Sequence, residues 1–241
     1  MEPEGSLIPA KYKVLSGSAL KCIALITMII DHIGVVLLKD SRIVLFGTGS
    51  GAFTLYTLMR KIGRLAFPLY CFLLVEGFLH THDRKKYGLN LLLFALISEL
   101  PWNLEHTGTL RYAAQNVFFT LFLGYVGLCC IEYFRQRPRE QLASLLLLFL
   151  IALNLKADYG VTGFGFILML YALRQQKILQ ALVGCCFLSS TWVGGLAFIP
   201  INLYNGERGF IRGKVLKYAF YAAYPLHILI LYWIKKKTIG Y

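Results

Sequence analysis

Apolar residues fill long windows of this chain, and polar residues gather in short clusters between them. That alternation predicts membrane-crossing helices joined by charged turns. The run 21–38, KCIALITMIIDHIGVVLL, opens the series, and a second covers 62–80 and closes in HTHDRKK. A third, 87–100, is expected to stop at Pro101, because proline removes a helical hydrogen bond and crowds the preceding turn. A fourth, 112–131, is uncharged throughout. The runs 141–155 and 159–173, separated by Lys156, Ala157 and Asp158, are short for a span unless flanking groups snorkel or the bilayer thins. The run 178–206 contains Gly194, Gly195 and Pro200 and fits either one span with a re-entrant piece or two short spans. The last, 218–234, ends in Lys235, Lys236 and Lys237. Residues 39–61, rich in Gly, Ser and Thr, read as a loop. The fold class expected is all-α, a polytopic integral membrane helical bundle with 8–9 transmembrane spans. Residues 1–20 form a cytoplasmic N-terminal segment, 21–237 a single bundle and 238–241 a tail.

Composition agrees. Of 241 residues, 57% are hydrophobic and 15% charged, against about 25% charged in soluble domains. The net charge of +13 would suit nucleic acid, but the basic residues sit in clusters between apolar runs and so read as topology signals. With the N-terminus inside, Lys11, Lys13 and Lys21, then Arg84, Lys85 and Lys86, then Arg135, Arg137 and Arg139, then Arg174 and Lys177 fall on the inner side. Arg60, Lys61 and Arg64 run against that assignment. The six cysteines lie in apolar runs without metal or redox spacing and read as packing residues. Glu2 and Glu4 make a cleavable signal a poor reading of the first residues, so the first span is expected to stay as an anchor.

Chemistry enters with Asp31 and His32, side by side in the first span. A charged side chain at mid-membrane costs at least about 2.5 kcal/mol, so such groups face a polar interior and serve a purpose. Lys21 and His32 share one helical face, separated by about 16 Å of rise. Asp31 points about a quarter-turn away, and its partner is expected on another helix. Glu76 and His80 share a face one turn apart, with Arg64 at the other end of that span. Asn90, Ser98, Glu99, Gln115, Asn116 and Thr120 mark the third and fourth spans, where interhelical hydrogen bonding is the simpler role for the neutral ones. His227 follows Pro225 by two residues in the last span. Histidines and carboxylates inside a bundle suit proton transfer, in an acid/base enzyme or in a proton-coupled transporter using Asp31, His32, Glu76 and His227 as a relay. A single broken region, around Gly194 to Pro200, weighs against the paired broken helices of transporters. A purely structural subunit would leave the Asp31–His32 pair unexplained. No HExxH or GxSxG occurs.

The segments DHIG at 31–34, KIGRLAFPLY at 61–70, VEGF at 75–78, SELPW at 98–102, NVFFTL at 116–121, DYG at 158–160, YNGERG at 204–209 and FYAAYPLH at 220–227 together resemble the TraX family of bacterial membrane proteins over nearly the whole chain. The resemblance implies an acetyltransferase of the bacterial cytoplasmic (inner) membrane, since the founding TraX protein is associated with N-terminal acetylation of conjugative pilin. It also implies kinship with membrane acyltransferases that carry, on an early span, a basic residue and a histidine with ten residues between them. Lys21 and His32 have that spacing, with lysine, a point charge without the bidentate fork, where arginine is usual. On this reading acetyl-CoA is the donor, drawn to Lys21 and to Arg84, Lys85 and Lys86 at the inner mouth. His32 is the general base or a transient acyl carrier. Asp31 or Glu76 would hold an imidazole or the acceptor, and Arg64, Asn116, Tyr224 or His227 would donate to the oxyanion. The basic run 204–214, with Arg208, binds a phosphate or the acceptor, or is a surface turn. The acceptor is an amine or hydroxyl on a peptide N-terminus, a sugar or a small molecule at the bilayer, and no nucleic acid is implied.

Overall fold

The structure, a computed structural model, describes residues 8–39, 41 and 43–240. The start of the 1–20 segment, with Glu2 and Glu4, and the last residue of the 238–241 tail lie outside the described residues. Helix dominates what is described: α1 (Gly17–Leu37), α2 (Leu55–Gly63), α3 (Ala66–His80), α4 (Arg84–Thr107), α5 (Val117–Tyr133), α6 (Pro138–Leu155), α7 (Gly160–Ala172), α8 (Lys177–Phe187), a 3-10 stretch (Ser189–Ala197), α9 (Phe198–Asn202) and α10 (Gly213–Lys235). Among the described residues, four stretches are long and apolar enough to cross a membrane: Gly17–Leu37, Leu55–His80, Pro138–Leu155 and Gly213–Thr238. Shorter apolar helices cover Val117–Tyr133, Gly160–Ala172, Lys177–Phe187 and Val193–Asn202. The protein is a nearly all-α membrane protein, and α6 shows what that environment permits: Leu146, Leu147, Leu150 and Leu153 are all exposed.

Three boundaries differ from the sequence expectation, each for a local reason. The expected loop 39–61 contains an antiparallel hairpin, β1 (Val44–Phe46) with β2 (Phe53–Thr54), and then α2, whose first turn is capped by Thr54 Oγ1 accepting from the Thr57 N–H at 3.2 Å. α4 does not stop at Pro101. The turn beyond the proline is fastened from outside the helix, where Trp102 Nε1 donates to the Ala114 carbonyl at 2.8 Å and Asn103 Nδ2 to the Leu110 carbonyl at 3.0 Å. Helix α4 ends only at Gly108, whose φ of +67° suits glycine. α5 begins later than the apolar run, at Val117, because Asn116 caps it.

The chain forms two compact units, Cys71–Phe187 and Leu7–Tyr70 with Leu188–Tyr241. In the first, Gly124 and Gly127 open the face of α5 to α7. A Cβ on Gly124 would fall 2.3 Å from Ile167 Cδ1, and one on Gly127 would fall 3.1 Å from the Phe164 ring. Phe78, with no exposed surface, meets Tyr125 and Tyr171 edge-on. Asn116 is also fully buried and saturated. Its Nδ2 donates to the Ala95 carbonyl at 2.8 Å and to Glu99 Oε1 at 2.5 Å, while Oδ1 accepts from the Phe118 N–H at 3.0 Å. Thr120 Oγ1 then donates to the Asp158 carbonyl at 2.5 Å. At the C-terminal turn of α4, His106 packs between Trp102 and Tyr112, with Glu105 Oε2 2.8 Å from its Nδ1. Burial pulls the His106 pKa down, but the Glu105 hydrogen bond and charge, the Trp102 carbonyl and the Asp158 charge together outweigh it, and the pKa lies above the usual imidazole value.

Asn116→Ala removes a helix cap and strands buried partners on α4, so a loss of about 2 kcal/mol or more is expected, read as a fall in thermal midpoint in detergent. A raised folded-state pKa gives His106 a stabilising contribution that is present below the unfolded value near 6.5 and lost as pH rises through the folded value. Thermal midpoints of the native chain should therefore fall across that interval more steeply than those of His106→Gln; parallel curves would remove the ion pair as the cause.

Candidate functional site

In the second unit, the segment before α10 grips the start of α1. Ser16 Oγ accepts from the Ala19 N–H as the helix cap. The next N–H groups of α1, normally left without helical partners, donate to carbonyls of the YNGERG loop, Gly17 to Glu207 at 2.7 Å and Ser18 to Arg208 at 2.9 Å. Ser18, fully buried, adds a bond from Oγ to the Arg208 carbonyl at 2.7 Å and accepts the Ile211 N–H at 2.7 Å. Leu15 is joined to this segment by bonds to Leu203 and Asn205. Gly209 has φ +80°, and a Cβ there would meet Ser16 Oγ at 2.3 Å, so only glycine fits on both counts. The run 204–214, which the sequence leaves as a phosphate or acceptor site or a surface turn, is a structural clamp on the start of α1. α10 starts two residues past Ile211, so α1 and α10 leave the clamp together and run parallel.

Fourteen residues into each helix from Ser18 and Gly213, the parallel run brings two imidazoles together. His227 Nε2 lies 2.7 Å from His32 Nδ1, and His227 Nδ1 lies 2.7 Å from the Ala223 carbonyl. A carbonyl only accepts, so His227 Nδ1 carries a hydrogen, and in the neutral ring Nε2 is then an acceptor. The hydrogen between the rings belongs to His32 Nδ1, which puts the basic lone pair of His32 on Nε2. Tyr224, buried one turn before His227, is edge-on to both rings, at 6.1 Å from His32 and 5.7 Å from His227 between centroids.

Asp31 faces α2. Its Oδ2 accepts from Arg60 Nη1 at 2.5 Å, an interhelical partner of the kind its orientation requires. The approach depends on two glycines: a Cβ on Gly63 would lie 2.2 Å from Asp31 Oδ1, and one on Gly34 would lie 3.0 Å from Met59 Cβ.

The expected site residues divide between the units. Lys21, Asp31, His32, Arg64, Arg208 and His227 belong to the second; Glu76, Arg84, Lys85, Lys86 and Asn116 belong to the first. The group at His32 Nδ1 is His227, where the sequence pointed to Asp31 or Glu76. Glu76 has His80 beside it, at 3.8 Å between Oε2 and Nδ1. Arg84 stacks on Phe78 at 4.4 Å, and Lys85 and Lys86 stand exposed in the first turn of α4 behind the Asp83 cap. Asn116 spends both amide hydrogens on Ala95 and Glu99, which leaves none for an oxyanion. Arg64 caps the C-terminus of α2. In the sequence Arg60 reads only as part of a basic run. Its spacing three residues before Gly63, in a segment with the RLAFPLY stretch beyond it, was the available signal.

The family described as TraX protein matches residues 16–235. The chain belongs to the TraX family. It is 31% identical over 245 residues to a protein of Dichelobacter nodosus named "Probable fimbrial assembly protein FimC, serogroup H1", covering 90% of this chain and 94% of that one. It is 26% identical over 190 residues to the uncharacterized protein RP591 of Rickettsia prowazekii (strain Madrid E), covering 76% of this chain and 65% of that one. No solved structure matches. The motifs of this TraX chain form two physical groups. DHIG, KIGRLAFPLY, YNGERG and FYAAYPLH supply Asp31, His32, Gly63, the clamp and His227. SELPW and NVFFTL meet through Glu99 and Asn116, and DYG joins them through the Asp158 carbonyl.

Gly63→Ala should force Asp31 off α2 and cost about 1–3 kcal/mol, the usual penalty for overpacking. Gly51→Ala, where a Cβ meets nothing within 4 Å, should leave the thermal midpoint unchanged. Equal behaviour of the two variants would contradict the close approach of α1 and α2.

Proposed function

We propose that this TraX protein is a membrane-embedded, acetyl-CoA-dependent acyltransferase in which His32 Nε2 is the general base. The observation that carries the reading is the 2.7 Å bond between His32 Nδ1 and His227 Nε2. It sets the tautomer of His32 and supplies an acceptor for the hydrogen that stays on Nδ1 when Nε2 takes a second proton. In the transfer, the acceptor nitrogen or oxygen attacks the thioester carbonyl and gives its proton to His32 Nε2. The tetrahedral oxyanion collapses, the carbon–sulfur bond breaks, and the departing thiolate recovers the proton from the imidazolium. Tyr224, packed against both rings, is assigned as donor to the oxyanion. His227 does not touch the acetyl group; it orients the base.

The acceptor is taken to be an amine or hydroxyl presented at the membrane, and the relative named as a fimbrial assembly protein favours the N-terminus of a fimbrial or pilin-type subunit. The protein is assigned to the bacterial inner membrane with its N-terminus in the cytoplasm, where the donor is made. Parallel α1 and α10 require an odd number of crossings if both span, and of the expected counts nine is the odd one. Reporters fused to the two termini should therefore fall on opposite sides of the membrane.

The deciding assay is thiol release from acetyl-CoA by the detergent-purified chain, with a peptide amine as acceptor. Loss of general-base catalysis in His32→Ala should lower turnover by about 100-fold or more, and His227→Ala should lower it less, with donor affinity retained. A folded preparation without saturable acetyl-CoA binding would overturn the acyltransferase reading and favour a proton-coupled transporter built on the same residues.

A further inference from the structure

Lys21 lies three residues beyond Ser18, one turn up the same face of α1. Ser18 is the residue whose N–H and Oγ both hold the Arg208 carbonyl, so the clamp sets the residue 208 backbone beside the turn that carries Lys21. Lys217 arrives from the other partner of the clamp, one turn into α10. Lys21 and Lys217 are half-buried and Arg208 is exposed. With His32 set against His227, the parallel run brings Lys21, eleven residues before His32, to the level of Lys217, ten residues before His227. The acid of the loop, Glu207, is exposed, and its backbone carbonyl is occupied by the Gly17 N–H.

Three cations brought together at the clamped end of α1 and α10 repel one another, and the half-burial of the two lysines weakens the screening that would ease it. Their convergence is most favourable around a multivalent anion. The helix terminus cannot serve as that site, because the N–H groups of Gly17 and Ser18 are spent on Glu207 and Arg208. Recognition falls to side chains, two ammonium groups as point charges and one guanidinium able to grip two oxygens at once, a set suited to phosphate.

We infer that Lys21, Arg208 and Lys217 form a binding site for a multiply charged phosphate ester beside the Gly209 loop. Under the acyltransferase reading, on which this step rests, the ester is the phosphate end of the donor. Lys21 shares its face of α1 with His32, about 16 Å away, so a donor anchored by its phosphates lays its thioester arm along α1 towards the base. Lys217 had no signal in the sequence, since only the clamp brings it to Lys21. The same chemistry would accept the phosphate of a lipid headgroup.

The test uses 3′,5′-ADP, which has phosphates and no thioester, titrated by calorimetry against the full chain in phosphatidylcholine nanodiscs. Saturable binding is expected, weakened about tenfold or more in Lys217→Gln and in Arg208→Gln, restored in Lys217→Arg and unchanged in His32→Ala. In turnover, Lys217→Gln should raise the KM for acetyl-CoA about tenfold and leave kcat and the acceptor KM in place. Unchanged 3′,5′-ADP affinity in a folded Arg208→Gln, Lys217→Gln double variant overturns the site, even where His32-dependent transfer persists. Charge-dependent binding in a protein that transfers no acetyl group upholds the site and removes only the enzyme reading. Abolition of 3′,5′-ADP binding by phosphatidylglycerol in the nanodiscs, with no change in the acetyl-CoA KM, gives the site to lipid and overturns the donor assignment.

Discussion

The bond network around Ser18 is the constraint on which the second unit depends. It ties residues 190 and 193 positions apart, through the Arg208 carbonyl and the Ile211 N–H, and it acts at the point where two helices begin. Helices that start from a common fixed point and run parallel keep their register. The 2.7 Å contact between His32 and His227 is a register-dependent event: a slip of one residue moves a side chain by about 1.5 Å along the axis and about 100° around it. The cost of closing so long a loop grows only slowly with its length, and each of the clamp bonds lies where water would otherwise have to reach backbone groups. Polar bonds at the clamp thus set the geometry of polar chemistry some four turns away.

The first unit uses the same device for a different end. Asn116 and Glu99 form a saturated junction between α4 and α5, and every donor and acceptor of the Asn116 amide is engaged. In an apolar surrounding a partly satisfied amide would be costly, so the group is useful only when its whole bonding capacity is filled. That is also why it is a poor candidate for chemistry. The histidine pair differs in kind. An imidazole bond at one nitrogen fixes the state of the other, so the hydrogen bond that holds His32 also defines where it accepts a proton.

Much of this was legible in one dimension. Apolar windows located most helices, because burial in lipid demands both length and composition. Asp31, His32 and His227 stood out because ionisable groups in such windows are expensive. The helix ends were less legible. Pro101 reads as a stop, and the bonds from Trp102 and Asn103 that carry α4 past it come from residues 110 and 114, which periodicity does not connect. The Asp31 partner could be placed on another helix by its angle, but Arg60 lies in a segment that reads as a loop until its pairing with α1 is known. YNGERG reads as a basic turn because its charges are visible in sequence and its carbonyls are not; the carbonyls do the binding.

The ion pair at Asp31 and the imidazole at His32 occupy adjacent residues but serve different neighbours, and the helix explains the division. Successive side chains diverge by about 100°, so one position faces α2 and the next faces α10. Gly63 and Gly34 draw α2 against α1 on the first face, which removes the Asp31 carboxylate to the Arg60 guanidinium. A carboxylate already bound to a guanidinium is a weaker acceptor for an imidazolium, and that leaves the His227 ring as the group against His32. Under the proposed reaction His32 takes up and then returns a proton in one transfer, and an imidazole partner, unlike a carboxylate, does not lock it into the charged form.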